Sequence, residues 1–145
     1  EKKNIGCLFK IYGSNLENFD LTTLPTNCRY GGAILTQTEK IEMFKGANLL
    51  IFPSKNEGIP LVVIEAISAG VPIVCFKVGA IESILGEDYP LFAEDHLQAS
   101  LILKFQDAMK YTQSEYQSLC KGLINRFERL FSKERSLREF IQLFE

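Results

Sequence analysis

The chain has 145 residues, 46% of them hydrophobic, with 16 basic and 18 acidic side chains for a net charge of −2. That size and apolar content suit one globular domain with a sizeable core and exclude a disordered chain. The near-balanced charge gives no support for a nucleic-acid surface, whose footprint is a strong basic excess, and no apolar run reaches the roughly 18 residues of a membrane span.

The polar start, Glu1-Lys2-Lys3-Asn4, leads straight into a strand-like run and does not read as a signal peptide. Residues 7–13 (CLFKIYG) are rich in strand formers and end at Gly13; residues 28–34 (CRYGGAI) give a weaker strand. A helix is predicted over 36–47, opened by the capping-box pair Thr36 and Glu39, with Gly46 near its end. Residues 49–54 (LLIFPS) form a continuous apolar strand stopped by Pro53. Residues 60–70 read as a short helix with Pro60 at its first position and Gly70 at its end. Strands follow at 71–76 (VPIVCF) and 90–93 (PLFA). After Asp95 the pattern turns helical: 96–112, with Leu97, Leu101, Phe105 and Met109 apolar; 114–131, with Ser114 and Gln117 as a second capping pair; and 132–145.

Apolar runs without alternation indicate strands buried on both faces, as in parallel sheets covered by helices. Strand, helix and strand within 49–76 make one tight βαβ unit. The expected fold is therefore α/β: a Rossmann-like three-layer sandwich with a mostly parallel sheet and C-terminal helices.

Cys7, Cys28, Cys75 and Cys120 are far apart, no C-x-x-C occurs, and His96 is the only histidine, which argues against a zinc site. Cys7 and Cys75 lie in apolar runs and read as buried, reduced core residues, which suits a cytosolic setting. The late basic stretch (Lys121, Arg126, Arg129, Lys133, Arg135, Arg138) reads either as a solvated helix face or as a contact for anionic lipid headgroups.

Ligands of open α/β sheets bind beyond the carboxyl ends of the strands. The loop Lys55-Asn56-Glu57-Gly58-Ile59 lies at that edge, and the helix after it presents its N-terminus there, suited to phosphate. Gly58 has no Cβ, so its backbone can approach a ligand closely. Glu57 can reach a polar ligand above the helix start. Glu65, inside the helix, offers two acceptor oxygens that match a vicinal diol such as a ribose. Both have plainer readings: Glu57 could only stabilise the helix dipole, for about 0.3–1 kcal/mol, and Glu65 could pair with a surface lysine.

At this point the sequence resembles a known family. The pattern P-S-x-x-E-G-x-P-L-x-x-x-E-A-x-x-x-G-x-P-I-V, carried by Pro53, Ser54, Glu57, Gly58, Pro60, Leu61, Glu65, Ala66, Gly70, Pro72, Ile73 and Val74, resembles the E-x7-E signature of retaining GT-B glycosyltransferases of the large GT4-like group. Residues 11–13, 30–32 and the run 38–54 resemble the segments before that signature, and 79–85 (GAIESIL) resembles the family's G-G-x-x-E-I-I segment, with Ala80 in place of the second glycine. The similarity runs from about 7 to 131.

The resemblance implies half of a GT-B fold: the domain that binds a UDP-, GDP- or ADP-sugar donor. Glu57 would be the catalytic-site carboxylate on the transferred sugar, and Glu65 would hold the ribose. Gly58, Ile59, Pro60, Leu61 and Gly79 would line the donor. No metal or cofactor is expected. The family's diphosphate-clamping Arg and Lys and its acceptor domain would precede residue 7, so residues 1–145 are expected to be one donor domain, truncated on its N-terminal side and inactive alone. The implied transfer moves a hexose-type sugar to a glycan or lipid-linked acceptor in the cytoplasm, with peripheral association at the inner face of the membrane as part of what the resemblance implies; no nucleic-acid partner is expected. A GT-B-like sugar-nucleotide epimerase and a non-catalytic α/β module are the alternatives. A paired-carboxylate glycosidase fits poorly, since its carboxyls must flank one bond at about 5–9.5 Å.

Overall fold

Strands form where β-branched and aromatic residues cluster, and those among the described residues pair in parallel. The computed structural model describes residues 6–14, 20–133 and 142. Contacts divide the chain into two units, residues 1–43 and 44–145. The fold is α/β with parallel sheets, as the sequence predicts.

In the first unit, β1 (Phe9–Tyr12) pairs with β2 (Cys28–Gly32), Phe9 opposite Cys28 and Tyr12 opposite Gly32, with an irregularity after Ile11. A turn of 3-10 helix at Leu21–Thr23 is capped by the Asp20 carboxylate, which accepts from the Thr22 N–H (2.9 Å). None of the described residues of this unit is buried. Cys7 is accordingly half-buried, not a core residue: the strand it leads into pairs only with β2 among the described residues. Helix α1 (Gln37–Lys45) runs across the division between the units. It opens with the expected box, Thr36 Oγ1 accepting from the Glu39 N–H (3.2 Å) and the Glu39 carboxylate accepting from the Thr36 N–H (2.9 Å).

The second unit holds a three-stranded sheet in the order β3 (Leu50–Phe52), β4 (Ile73–Phe76), β5 (Phe92–Ala93). Leu50 stands opposite Ile73, and Cys75 opposite Phe92. All four residues of β4 are buried, the expected mark of a central parallel strand. The first N–H of β4, on Ile73, is taken by the buried Tyr89 hydroxyl oxygen at 2.7 Å. Cys75 is buried as predicted, and burial pushes its thiol up to about 12.

Helix α2 (Leu61–Ser68) connects β3 to β4. It begins one residue later than the sequence reading: Pro60 is extended (φ −78°, ψ 103°) and is the N-cap, its carbonyl accepting from Val63 N–H at 3.0 Å. The helix ends in a Schellman motif. Gly70 at φ +69° gives its N–H to the Ile67 carbonyl, and Val71 gives its own to Ala66. A Cβ on Gly70 would come within 2.9 Å of Ile124, so the same glycine lets the long helix that carries Ile124 pack against this end of α2.

Helix α3 (Ile81–Leu85) was not legible in the sequence, because five residues are too few to show a period. Arg126 closes its far end, donating from Nε and Nη2 to the carbonyls of Ile84 and Ser83. Helix α4 (Gln98–Ala108) starts after His96, not at it: Asp95 accepts from the Leu97 N–H (3.0 Å) and the Ser100 hydroxyl. Helix α5 (Gln113–Phe131) is capped by Thr112 and Glu115, not by the predicted Ser114 and Gln117. A carboxylate accepts the Thr112 N–H (2.8 Å) with a full charge, which the Gln117 amide would lack. The helix expected over 132–145 falls almost wholly outside the described residues.

The burial of β4 has a chemical consequence. With its thiol at about 12, Cys75 carries almost no thiolate near pH 8. In a timed alkylation followed by mass spectrometry, half-buried Cys7, Cys28 and Cys120 should label under native conditions and Cys75 only after unfolding.

Candidate functional site

The edge of interest is where β3, β4 and β5 end. The chain leaves β3 at Phe52 and passes through 53–60 into α2. It leaves β4 at Phe76 and passes through Lys77-Val78-Gly79-Ala80 into α3. It leaves β5 at Ala93 and passes through Glu94-Asp95-His96 towards α4. A parallel register brings these three exits to one side of the sheet.

The first exit carries most of the predicted residues. Ser54 Oγ donates to the Asn56 carbonyl at 3.3 Å, curling the loop on itself. Glu57 is half-buried, Gly58 is exposed, and Pro60 is buried at the start of α2. Ile59 and Leu61 are each 68% exposed, so two large apolar side chains flank the turn into the helix. No side chain caps α2, which leaves its first amides and the positive end of its dipole facing this edge.

Glu65 is the fifth residue of α2 and is half-buried. The buried stripe of the helix is Val63, Ala66 and Ile67. Glu65 shares the other flank with exposed Leu61 and Ser68, at the spacing of neighbours on a helix face. Helical side chains lean towards the N-terminus. The lean carries the Glu65 carboxylate towards the end of α2 from which Glu57 arrives.

The second exit meets the first. A Cβ built on Gly79 would lie 2.0 Å from the Glu57 carbonyl oxygen and 2.6 Å from that of Gly58. The next residue, Ala80, gives its N–H to the Gly58 carbonyl at 3.0 Å. Gly79 has φ +53°, open to glycine at little cost. Ala80 has φ −83° and ψ 3°, so the departure from the family's second glycine introduces no strain.

Two further side chains at this edge escaped the sequence reading. Lys77, directly after β4, pairs with Glu82 at 2.9 Å and lies 5.1 Å from the centre of the Phe92 ring. The Glu82 hydrogen bond, with added field from Glu94 and Glu87, raises its pKa. His96 enters the sequence reading only as the single histidine. It is exposed, but its ring stands 5.5 Å from that of Phe76 at the end of β4. The signal available for both was position: each follows the carboxyl end of a buried strand. Among the described residues no group of three His, Cys, Asp or Glu is placed to hold a metal ion.

Gly58, Ile59 and Leu61 are exposed at this edge. A hollow of about 440 Å³ lies elsewhere, lined by Leu85, Tyr89, Tyr111, Leu119 and Arg126 among others, and shares none of the predicted residues.

A strand, a glycine-bearing loop and a helix carrying glutamates eight residues apart are thus assembled at one sheet edge. Residues 2–120 match the family described as glycosyl transferases group 1. The chain belongs to that family. It is 46% identical over 41 residues to TuaC of Bacillus subtilis, a protein named for teichuronic acid biosynthesis, a match covering 28% of this chain and 10% of that protein. It is 33% identical over 69 residues to the O-antigen chain mannosyltransferase B of Escherichia coli, covering 45% of this chain and 18% of the relative. The match thus spans less than a fifth of either curated relative. Among solved structures, sucrose-phosphate synthase from Thermosynechococcus elongatus superposes with a TM-score of 0.67 over 81% of this chain and 29% of its own length. At 24% identity that likeness shows the fold, a Rossmann-like half of a GT-B enzyme.

The geometry separates two glycines. Gly58 has an ordinary φ, and a Cβ there would meet nothing within 4 Å. Gly58→Ala is expected to change stability by no more than about 0.5 kcal/mol. Urea unfolding checks this; a larger loss would mean that the loop is packed more tightly than described.

Proposed function

We propose that residues 53–66, with the turn at 79–80, form the donor site of a retaining, GT4-like glycosyltransferase, and that the E-x7-E pair is Glu57 and Glu65. The observation that carries this reading is that two half-buried glutamates flank the start of α2, Glu57 four residues before Leu61 and Glu65 four residues after it, where no side chain caps the helix at the carboxyl edge of a parallel sheet. A helix N-terminus attracts phosphate. Carboxylates on either side suit the hydroxyls found at both ends of a nucleotide sugar.

In this reading the donor is a UDP-, GDP- or ADP-linked hexose. Glu65 accepts hydrogen bonds from the ribose diol, and Glu57 from the hydroxyls of the transferred sugar. Backbone amides between Gly58 and Leu61 face the sugar and the diphosphate; Pro60 contributes none, having no N–H. The bond between the anomeric carbon and the diphosphate oxygen breaks, and the acceptor oxygen bonds that carbon on the same face. The acceptor proton passes to the departing phosphate. The protein's contribution is orientation and stabilisation of the charge developing on the leaving diphosphate, with no metal in the scheme.

The exposed edge needs a second wall, which an acceptor domain facing it would supply. By analogy with the relatives' names, the acceptor is a growing polysaccharide or lipid-linked glycan, handled in the cytoplasm at the inner membrane face. No described helix is long and apolar enough to cross a membrane. Residues 1–145 then act as one donor-binding domain.

Titration of the isolated chain with UDP, GDP and ADP, followed by amide NMR, tests the reading. Binding is expected near millimolar, worth about 4 kcal/mol, with shifts in 54–66 and at Gly79 for one base, lost in Glu65→Ala. The isolated chain should transfer no sugar. Shifts confined to other surfaces at millimolar ligand would count against the site.

A further inference from the structure

We infer that Gly79 and Ala80, at the border of the donor site, are positioning residues, a lock that sets the direction of the Gly58 and Ile59 amides. The inference rests on the donor reading above and adds to it how the loop is held.

The two exits from β3 and β4 could have been independent loops. They are not. The chain turns at Val78–Ile81, with the Ile81 N–H on the Val78 carbonyl at 3.1 Å. Gly79 at φ +53° followed by Ala80 at φ −83° and ψ 3° follows the pattern of a type II′ turn, which wants glycine first. Two demands therefore meet at residue 79. The backbone conformation favours glycine, and the space a Cβ would need is filled by the Glu57 and Gly58 carbonyls. Those obstacles are backbone atoms, not the ends of flexible side chains.

The direction of the amides follows from peptide geometry. In a trans peptide the carbonyl oxygen and the next N–H point to opposite sides. The Glu57 carbonyl lies against Gly79, and the Gly58 carbonyl accepts the Ala80 N–H at 3.0 Å. The N–H groups of Gly58 and Ile59 are consequently turned away from the 78–81 turn. The Ala80 hydrogen bond holds the Gly58–Ile59 peptide plane, and the bare α-carbon of Gly79 leaves the room that the Glu57 carbonyl occupies beside it. Preset amides bind a developing anion without reorganising first.

Two variants test this in the protein. Gly79→Ala forces the Glu57 carbonyl back by about 1 Å or more from its present position. Ala80→Pro keeps a φ near that of proline, removes the N–H that holds Gly58 and sets the ring Cδ where that hydrogen pointed, so the Gly58 carbonyl must move away. Each is compared with wild type by titration with UDP, GDP and ADP, after amide protection across Ile73–Phe76 confirms the fold. The expected result is displaced Gly58 and Ile59 amide resonances without ligand, and an affinity for the preferred nucleotide about tenfold or more weaker. A role confined to stability would leave the affinity of the folded variants unchanged. Unchanged affinity in folded Ala80→Pro overturns the lock and leaves the donor reading standing, even where Gly79→Ala does not fold. A wild type that binds none of the three nucleotides overturns the donor reading and the lock with it.

Discussion

Strand β4 has no solvent-facing side. Ile73, Val74, Cys75 and Phe76 are all buried, so both faces of its sheet must be covered and both its edges paired. Covering one strand completely fixes much else in the larger unit. β3 and β5 flank it in parallel, which requires crossovers, and the crossover from β3 is α2. Parallel strands end on one side, so the loops after β3, β4 and β5 come together there. The candidate site is the outcome of that constraint: Glu57 and Glu65 belong to the first crossover, Gly79 and Lys77 to the exit from β4, and His96 to the exit from β5.

The strands were legible because they are short apolar runs bounded by glycine and proline. The reading of 71–76 as a buried strand covers β4 and starts two residues before it, and the reading of 49–54 covers β3 and runs two residues past its end at Phe52. The start of α1 was legible because a capping box is local: Thr36 and Glu39 answer each other three residues apart. The same local rule misplaced the cap of α5. Two polar pairs, Thr112 with Glu115 and Ser114 with Gln117, satisfy the pattern, and the pair with a true carboxylate won. Helix α3 escaped because a single turn has no periodicity. Cys7 escaped because an apolar neighbourhood in sequence does not reveal how many strands will pair beside it.

The site divides in the same way. Glu57, Gly58, Pro60 and Glu65 lie within nine positions of one another, and a continuous pattern discloses them. What holds the loop does not lie within reach of such a pattern. The contact of Gly79 with the Glu57 carbonyl joins residues 22 apart, and the Lys77 pair with Glu82 sits between a strand and a helix that was not foreseen. The positive φ at residue 79 is the kind of demand that a sequence states only as a glycine, without saying what the glycine is for. The structure supplies the missing partner.

The central claim is that a nucleotide sugar lies along the β3–α2 loop and not in the hollow bounded by Leu85, Tyr89, Tyr111 and Arg126. Photolabelling decides between them most directly. A hexose diphosphate carrying a photoreactive base, prepared with uracil, guanine and adenine, is irradiated with the protein and the labelled peptides are mapped. The account predicts that one base labels peptides from 53–66 or 77–82, and that excess unlabelled nucleotide suppresses the labelling. Labelling confined to peptides that contain Tyr89, Tyr111 or Arg126, with the loop untouched, would contradict it.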